Sequence, residues 1–440
     1  MRELVWDRFV GANRYRVLRQ TAVLFLVDLA ANLVDYAYHV YLGRTLVPGD
    51  FGVFQTVNSA LLIAITAAGV LQPVVARFVA EEEARRDGPN AGSLTAESAT
   101  YVRASLGWSA LAGVCLSAAV WLGRGFISTS LNVPEVAVQL GAVLLLTVLL
   151  RPVIAGVLQG AQRFVAYGAV RLAFALGRFA VAALLFYWGW GLLGAVVSLP
   201  AGQLLAVGFG LAAIGPSLLA KSGGAGRFFI LDWLPLAGWA FVSYGAHAAL
   251  INMDLLFVSG NFSSDAAGIY AAGVLLRRIL LLLPAAAVIV MYPRIAAAVA
   301  QKTLPDLEIR WGAGLVSAVM VVLVGIYFAA GEPIVRLVFG EAYAGAGPSL
   351  GWMGLGIWGY ALGTVWMNVY LATRPGPFAG FLLAAVALQA AGLLVFGDSP
   401  SGVVAVFTAA GWLLALGGGI LYLAWLRPRL IRQFQSGADE

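Results

Sequence analysis

The chain has 440 residues, of which 61% are hydrophobic and 11% are charged, with a formal net charge of +6. Soluble domains carry about 25% charged residues, so this composition excludes an ordinary soluble protein and predicts a polytopic membrane protein. The single cysteine, Cys115, excludes a disulfide framework. The basic excess follows the topology described below, and we expect no nucleic-acid partner.

Hydrophobic runs long enough to cross a bilayer, about 20 residues each, recur along the chain. They fall near residues 16–42, 49–78, 99–122, 137–159, 164–187, 191–218, 233–259, 266–294, 310–331, 347–372, 377–396 and 402–426. The pattern predicts an all-α polytopic membrane protein with twelve transmembrane helices in two six-helix lobes. Residues 1–220 form the predicted N-lobe with helices 1–6, and residues 221–440 form the predicted C-lobe with helices 7–12.

The placement of basic residues predicts how these helices are oriented. With both termini in the cytoplasm, the outside loops hold only Arg44, Arg124 and Arg336, and the inside segments hold most of the other arginines and lysines. This positive-inside bias predicts a multi-pass protein of the inner (cytoplasmic) membrane with cytoplasmic N- and C-termini. The outside loops are too short to carry a catalytic domain, so we expect no enzyme activity.

Similar loops follow the first and the seventh predicted helices. Residues 41–54 read YLGRTLVPGDFGVF, and residues 258–270 read VSGNFSSDAAGIY. Each loop ends in the same pattern: an acidic residue, a spacer of one or two residues, a glycine, an aliphatic residue and an aromatic residue. Each loop also leads into a helix that has a proline near its end, followed by an arginine. Six spans per half is an even number, so the halves of such a repeat would share one orientation about an axis along the membrane normal.

Five arginines lie inside predicted spans: Arg151, Arg171, Arg178, Arg277 and Arg278. A charge at the middle of a membrane helix costs about 2.5–3.5 kcal/mol on insertion scales, so each needs water, a carboxylate or a ligand. Arg171 can reach toward the cytoplasmic interface, whereas Arg178 lies too deep for that. Arg277 and Arg278 point about 100° apart, so one faces a cavity and the other is free to pair with an aspartate of the first or seventh helix.

Acids and histidines lie on two of the same predicted helices. Asp28, Asp35 and His39 share one face of the first helix, and His247 and Asp254 share one face of the seventh. Aspartate and histidine are the groups most able to exchange protons or to bind Na⁺, so these five are candidates for ion coupling. The alternatives are hydration near the outer membrane surface and a hydrogen-bonded helix contact for His247. We expect no cofactor and no metal site. The expected coupling ion is Na⁺ or H⁺.

The sum of these charges indicates the sign of the charge on the ligand. Three acids face five arginines within the predicted spans, which is the opposite of a cavity built for cationic drugs. Because arginine binds phosphate with a bidentate fork, the arginines are candidates for holding a diphosphate head, with mutual ion pairing as the alternative. On the tenth helix, Trp358 and Trp366 are candidates for stacking on sugar rings, with an interfacial aromatic belt as the alternative.

These features resemble the polysaccharide and oligosaccharide (O-antigen-type) flippases of the multidrug/oligosaccharidyl-lipid/polysaccharide (MOP) exporter superfamily. The resemblance rests on the loop at residues 42–54, its echo at residues 265–270, and the Gln72–Arg77 and Met291–Arg294 stretches. It implies two six-helix lobes, as in the MATE transporters, that open alternately to either side of the membrane. Asp28 stands where related peptidoglycan-precursor flippases have an arginine, which argues against that substrate.

The expected function is therefore that of a flippase or exporter. It would translocate a lipid-linked, undecaprenyl-diphosphate-type oligosaccharide across the cytoplasmic membrane, by ion-coupled alternating access, for cell-surface polysaccharide biosynthesis. Its expected partners are the lipid-linked glycan, the membrane lipids and a glycan polymerase or glycosyltransferases. The alternative is a cation-coupled multidrug exporter of the MATE type, which would need an acid-dominated cavity.

Overall fold

The computed structural model describes residues 26–84, 96–215, 230–282, 291 and 294–436. Within these ranges the chain forms helices and no strand. Nine helices of this part of the chain are long and apolar enough to cross a membrane. The all-α polytopic membrane class that the hydropathy pattern predicts is therefore confirmed.

The described helices follow one another with short connections. In chain order they are α1 (residues 26–45), α2 (Pro48–Ala68), α3 (Leu71–Ala84), α4 (Ala96–Leu122), α5 (Arg124–Leu131), α6 (Glu135–Val148), α7 (Leu150–Gly160), α8 (Phe164–Tyr187), α9 (Gly191–Ile214), α10 (Ile230–Asn261), α11 (Ser264–Ile279), α12 (residues 294–300), α13 (Asp306–Phe339), α14 (Gly347–Ala372), α15 (Pro375–Phe396), α16 (Pro400–Leu421) and α17 (Arg427–Ser436). A 3-10 helix joins α13 to α14, and a π-helical turn joins α16 to α17.

Each predicted span has a helical counterpart. The nine candidate spans run over residues 48–82, 98–122, 135–160, 164–187, 191–214, 237–261, 306–339, 375–396 and 400–435. The three other predicted spans coincide with α1, α11 and α14. Residues 16–25 of the first predicted span, 216–218 of the sixth, and 283–290 and 292–293 of the eighth lie outside the described residues.

Several spans are broken in ways that the hydropathy pattern does not predict. The eighth predicted span is interrupted at Leu280 and Leu281, directly after α11. The second predicted span is interrupted at Gly69 and Val70, between α2 and α3, and the fourth is interrupted at Leu149, between α6 and α7. Helix α13 is kinked at Ala330, where φ is −133° and ψ is 25°. Pro333 follows three residues later, and a proline inside a helix removes a backbone donor and crowds the preceding turn. The predicted end of this span at residue 331 marks the kink, and the helix itself continues to Phe339.

Contacts divide the chain into two compact units, each described by itself. Unit 1 comprises Met1–Leu42, Ala68–Gly125 and Glu135–Trp233, and unit 2 comprises Gly43–Ala67, Phe126–Pro134 and Leu234–Glu440. Helix α2 is thus counted with the C-terminal helices. The division into lobes at residues 1–220 and 221–440 stays a prediction.

Small residues let the helices of unit 1 approach closely. A Cβ added to Gly156 of α7 would lie 2.6 Å from the carbonyl oxygen of Gln72 on α3, and one added to Gly202 of α9 would lie 2.6 Å from the Cβ of Arg178 on α8. Valine, isoleucine and leucine side chains of α3, α4, α7, α8 and α9 fill the core around these contacts. Close backbone approach is the usual basis of helix packing in membranes, where lipid tails are as apolar as leucine.

Unit 2 brings the two repeated loops together. A Cβ on Gly52 of α2 would lie 2.7 Å from the backbone nitrogen of Gly268 on α11, and a Cβ on Gly268 would overlap the carbonyl oxygen of Pro48. The equivalent glycines of the two loop motifs therefore pack against each other at the start of their helices. Glycine is required at both positions because any side chain would separate the two backbones.

Candidate functional site

Three of the five predicted intramembrane arginines pair with the three predicted intramembrane aspartates. Arg171 lies 3.1 Å from Asp28, Arg178 contacts Asp35, and Arg277 lies 2.5 Å from Asp254. The sequence leaves ion pairing and ligand binding open as alternatives for these arginines. In this conformation of the protein, ion pairing accounts for three of them.

The pair in unit 2 is the most completely buried. Both side chains of Arg277 and Asp254 are 0% exposed. The two guanidinium nitrogens of Arg277 donate to the two carboxylate oxygens at 2.5 and 2.8 Å, and one also donates to the carbonyl oxygen of Ile251 at 2.7 Å. The hydroxyl of Tyr270 donates to Asp254 at 2.6 Å, and the ring of Phe407 lies 3.7 Å from the guanidinium carbon. A ligand cannot reach Arg277 in this arrangement.

The neighbouring arginine, Arg278, has a different environment. Its guanidinium donates to the hydroxyl of Ser59 at 2.8 Å and to the side-chain oxygen of Asn252 at 2.5 Å, and the residue is partly exposed. Both of these acceptors are neutral. The 100° angle between successive helix residues therefore separates the roles of the two arginines: Arg277 turns into the unit, and Arg278 turns outward from its core.

His247 lies close to the core of unit 2. It is 8% exposed, and its Nε2 lies 3.2 Å from the carbonyl oxygen of Tyr360 and 3.3 Å from the hydroxyl of Thr364. Its hydrogen-bond partners lie on α14, whereas the side chains that donate hydrogen bonds to Asp254 lie on α11. The hydrogen-bonded helix contact that the sequence leaves open for His247 describes this geometry.

The first helix presents its polar face within unit 1. Arg178 is 4% exposed and pairs with Asp35, which is 36% exposed. His39 is also buried, and its Nε2 lies 3.9 Å from Asp35. The ring of Tyr38 lies 4.5 Å from the Arg178 guanidinium carbon, and its hydroxyl is 2.7 Å from Ser198 on α9. Asp35 is thus the carboxylate that both Arg178 and His39 approach, and it retains access from outside the unit.

Arg151 differs from Arg171, Arg178 and Arg277 because it pairs with no carboxylate among the described residues. Its guanidinium carbon lies 4.4 Å from the ring of Phe174, and the guanidinium carbon of Arg178 lies 4.8 Å from the same ring. Arg171 lies within electrostatic reach of Arg151. Of these two arginines of unit 1, Arg171 has a carboxylate partner, Asp28, and Arg151 has none among the described residues.

The two tryptophans predicted to stack on sugars contact neighbouring helices of unit 2. The indole of Trp358 donates to Ser317 at 3.4 Å, and that of Trp366 donates to the carbonyl oxygen of Ala415 at 2.8 Å. Trp366 and Trp412 also line a cavity of about 290 Å³ together with small and apolar side chains of α13, α14 and α16. Trp358 and Trp366 thus bridge helices, and their sugar-stacking role stays a prediction.

Sequence reasoning missed a cluster of neutral polar groups near Arg171. Gln72 on α3 donates to the side-chain oxygen of Gln159 on α7 at 2.9 Å and to the hydroxyl of Tyr167 on α8 at 3.3 Å. Gln72 entered the sequence argument only as part of a short motif, and Gln159 did not enter it. The signal that could have found them is the shared position of all three at the predicted cytoplasmic ends of their helices.

Comparison with known families defines the class of this membrane protein. The chain belongs to the polysaccharide biosynthesis protein family, which matches residues 17–299. The predicted resemblance to polysaccharide flippases of the MOP superfamily is therefore confirmed. No curated protein sequence matches the chain.

Solved structures of membrane transporters have a fold similar to that of this chain. An inward-facing multidrug resistance MATE family transporter has 12% identity and a TM-score of 0.74, with 92% of this chain and 96% of that chain covered. The lipid II flippase MurJ in an inward closed conformation has 11% identity and a TM-score of 0.68, with 92% and 87% covered. A MOP superfamily transporter from Pyrococcus furiosus, described by the reverse polarity of its binding pocket, has 12% identity and a TM-score of 0.62, with 93% and 94% covered. The chain therefore has the fold of these solved membrane transporters.

Proposed function

We propose that this protein flips a lipid-linked, undecaprenyl-diphosphate-type oligosaccharide across the cytoplasmic membrane for cell-surface polysaccharide biosynthesis. The polysaccharide biosynthesis family supports the substrate class, and the MOP fold supports transport by alternating access. The lipid tail stays in the bilayer while the charged head crosses through the protein. Glycosyltransferases or a glycan polymerase act on the same glycan before or after the transfer.

The observation that carries this proposal is the unbalanced charge of Arg151. Arg171 pairs with Asp28, whereas Arg151 pairs with no carboxylate among the described residues, so the charge of Arg151 is left uncompensated in unit 1. A positive charge in the low-dielectric part of a membrane protein is stabilised by an anionic ligand. The planar guanidinium group matches the geometry of phosphate oxygens. The ring of Phe174 packs against the guanidinium group of Arg151 and holds it in one orientation. A diphosphate head meets these requirements.

Unit 2 supplies a second candidate for the same head. Arg278 is partly exposed and is oriented by Ser59 and Asn252, whereas Arg277 is enclosed in its pair with Asp254. We therefore assign phosphate binding in this unit to Arg278. Arg178 is paired with Asp35, so it becomes available to a ligand only when that pair separates.

Ion coupling is assigned to Asp35 and His39. Asp35 is 36% exposed, so an ion can reach it, and an exchange at this carboxylate would change its hold on Arg178. Asp254 is fully buried and its oxygens already accept hydrogen bonds from Arg277 and Tyr270. The coupling ion is Na⁺ or H⁺.

The experiment that tests the function replaces Arg151 by alanine in a strain that depends on this protein for its surface glycan. One charged hydrogen bond to phosphate contributes about 1.5–3 kcal/mol, so binding of undecaprenyl diphosphate to the purified protein should weaken roughly 10- to 100-fold. Glycan export should fall without loss of the protein from the membrane. The matched control is Arg77→Ala, since Arg77 is 60% exposed and pairs with Glu81. Normal export and normal binding in Arg151→Ala would reject the proposal.

A cation-coupled multidrug exporter is the second candidate, because the MATE transporter has the TM-score of 0.74 given above. It predicts drug sensitivity on deletion and unchanged surface glycan. The positive charge at Arg151 and Arg171 opposes a cationic drug in that part of unit 1. Drug-susceptibility and glycan profiles of one deletion strain distinguish the two functions.

A further inference from the structure

Three neutral hydrogen-bonding side chains meet at one end of unit 1. The amide nitrogen of Gln72 lies between the side-chain oxygen of Gln159, at 2.9 Å, and the hydroxyl oxygen of Tyr167, at 3.3 Å. The three residues come from α3, α7 and α8. Gln159 is exposed, and Gln72 and Tyr167 are partly exposed, so the cluster is open to a ligand.

The backbone of α3 and α7 fixes this cluster. A Cβ on Gly156 would lie 2.8 Å from the Cβ of Val75, and one on Gly160 would lie 2.7 Å from the Cβ of Val79. These two glycines, one turn apart, let α7 lie directly on α3. Gln159 precedes the second glycine and is thereby brought to Gln72. The amides are thus held by a rigid helix pair and not by a loop.

The cluster retains unused hydrogen-bonding capacity. Gln159 accepts through its side-chain oxygen, and its amide nitrogen donates to no other described residue. Gln72 donates twice, and its side-chain oxygen accepts from no other described residue. Tyr167 accepts through its hydroxyl, which still has a proton to donate. One exposed site therefore offers two amide groups and a phenol to a ligand rich in both donors and acceptors.

The position of the cluster relative to the arginines decides what that ligand is. Tyr167 and Arg171 are one turn apart on α8, about 6 Å along the axis, and therefore share a face. Gln159 and Arg151 are separated by about 12 Å along α7. In the predicted topology the neutral cluster lies nearer the cytoplasm and the arginines lie deeper. A neutral, hydroxyl-rich group attached to a diphosphate would meet the two sets in this order.

We propose that Gln72, Gln159 and Tyr167 form a glycan subsite that binds the sugar attached to the diphosphate held by Arg151 and Arg171. Sugar hydroxyl and acetamido groups pair with amide and phenol groups, each of which both donates and accepts. This inference rests on the proposed function, because it names the part of the substrate next to the phosphates. It also gives unit 1 a way to select a glycosylated lipid over the bare lipid diphosphate.

The experiment measures equilibrium binding of two probes to the purified full-length protein in nanodiscs. One probe is undecaprenyl diphosphate, and the other is undecaprenyl diphosphate bearing a single N-acetylhexosamine or a single hexose. The wild-type protein should bind at least one sugar-bearing lipid more tightly than the bare lipid. In Gln159→Leu and in Tyr167→Phe that preference should fall about tenfold, the effect of losing roughly one hydrogen bond, while binding of the bare lipid is unchanged.

The matched control is Gln203→Leu. Gln203 is a buried glutamine of unit 1 whose amide nitrogen donates to the carbonyl oxygen of Thr147 at 3.1 Å, so it joins helices away from the cluster. It should leave the sugar preference intact. Equal weakening of both probes in Tyr167→Phe, or no change in preference, overturns the glycan subsite and leaves the hydrogen bonds as helix packing. Failure of the wild-type protein to bind the bare lipid diphosphate rejects the proposed function, whereas binding without any sugar preference rejects the subsite alone.

Discussion

The buried pair of Arg277 and Asp254 gives a prediction that separates a structural role from a substrate-binding role. Replacing Arg277 by methionine leaves the Asp254 carboxylate 0% exposed, with the Tyr270 hydroxyl as its remaining side-chain partner among the described residues. Breaking a buried ion pair by removing one partner costs about 3–5 kcal/mol. The Arg277→Met protein should therefore be less stable than the wild type by roughly this amount.

Removing the whole polar group should reverse most of that loss. A triple variant with Asp254→Leu, Arg277→Met and Tyr270→Phe replaces the polar group by apolar side chains, and replacements of buried ion pairs by apolar residues are often neutral or stabilising by about 1–4 kcal/mol. The ring of Phe407, which lies 3.7 Å from the guanidinium carbon, would then pack against methionine. We expect the triple variant to lie within about 1–2 kcal/mol of the wild type or above it.

The assay has two parts, the free energy of unfolding of the purified protein and glycan export in cells. Recovery of both in the triple variant identifies the pair as a structural connection between α10 and α11. Recovery of stability without recovery of export would show that Arg277 acts on the substrate, and would refute the assignment of phosphate binding to Arg278. A single variant as stable as the wild type would refute the energetic argument itself.

Two further predictions concern other contacts. Asp35→Asn should make flipping of the lipid-linked glycan in proteoliposomes insensitive to an imposed H⁺ or Na⁺ gradient, because Asp35 is 36% exposed and holds Arg178; an unchanged gradient dependence contradicts the coupling assignment. Gly268→Val should reduce export at least about tenfold, since a Cβ there overlaps Pro48, whereas Gly314→Val, with nothing within 4 Å of the added Cβ, should behave as the wild type in the same export assay.

The helices were predictable from the sequence because a membrane span has a required length and composition. The separation of α8 from α9 at Gly189 and of α15 from α16 near Asp398 agrees with the predicted boundaries. The breaks at Gly69 and Leu149 were not predictable, because hydropathy is insensitive to a local change of backbone direction. The kink at Ala330 has a visible cause in Pro333, but a proline within a membrane helix is often accommodated without a break.

The sequence predicts which charged residues belong to the site, but it does not predict which of them pair with one another. Counting acids and arginines in the spans identifies the groups that must compensate one another, because charge is costly in a membrane. The choice between Arg277 and Arg278 as the partner of Asp254 depends on the rotation of α11 against α10, which the sequence does not specify. The neutral cluster of Gln72 and Gln159 was missed because amides at helix ends are readily hydrated. They carry no charge, so counting charges in the spans does not identify them.

The ion pairs also change which residues are expected to meet a ligand. The depth of Arg178 and the central position of Arg277 make them the strongest candidates when position along a helix is the only information. Of the five arginines, these two have the lowest exposure, and each pairs with an aspartate. Their depth explains the pairing, because a charged group far from water is stabilised most by a carboxylate of the protein itself. Arg151 lies nearer the predicted cytoplasmic end, has no carboxylate partner among the described residues and rests on an aromatic ring. A transported anion must bind reversibly, and an arginine without a carboxylate partner among the described residues can accept and release it without first breaking a buried ion pair.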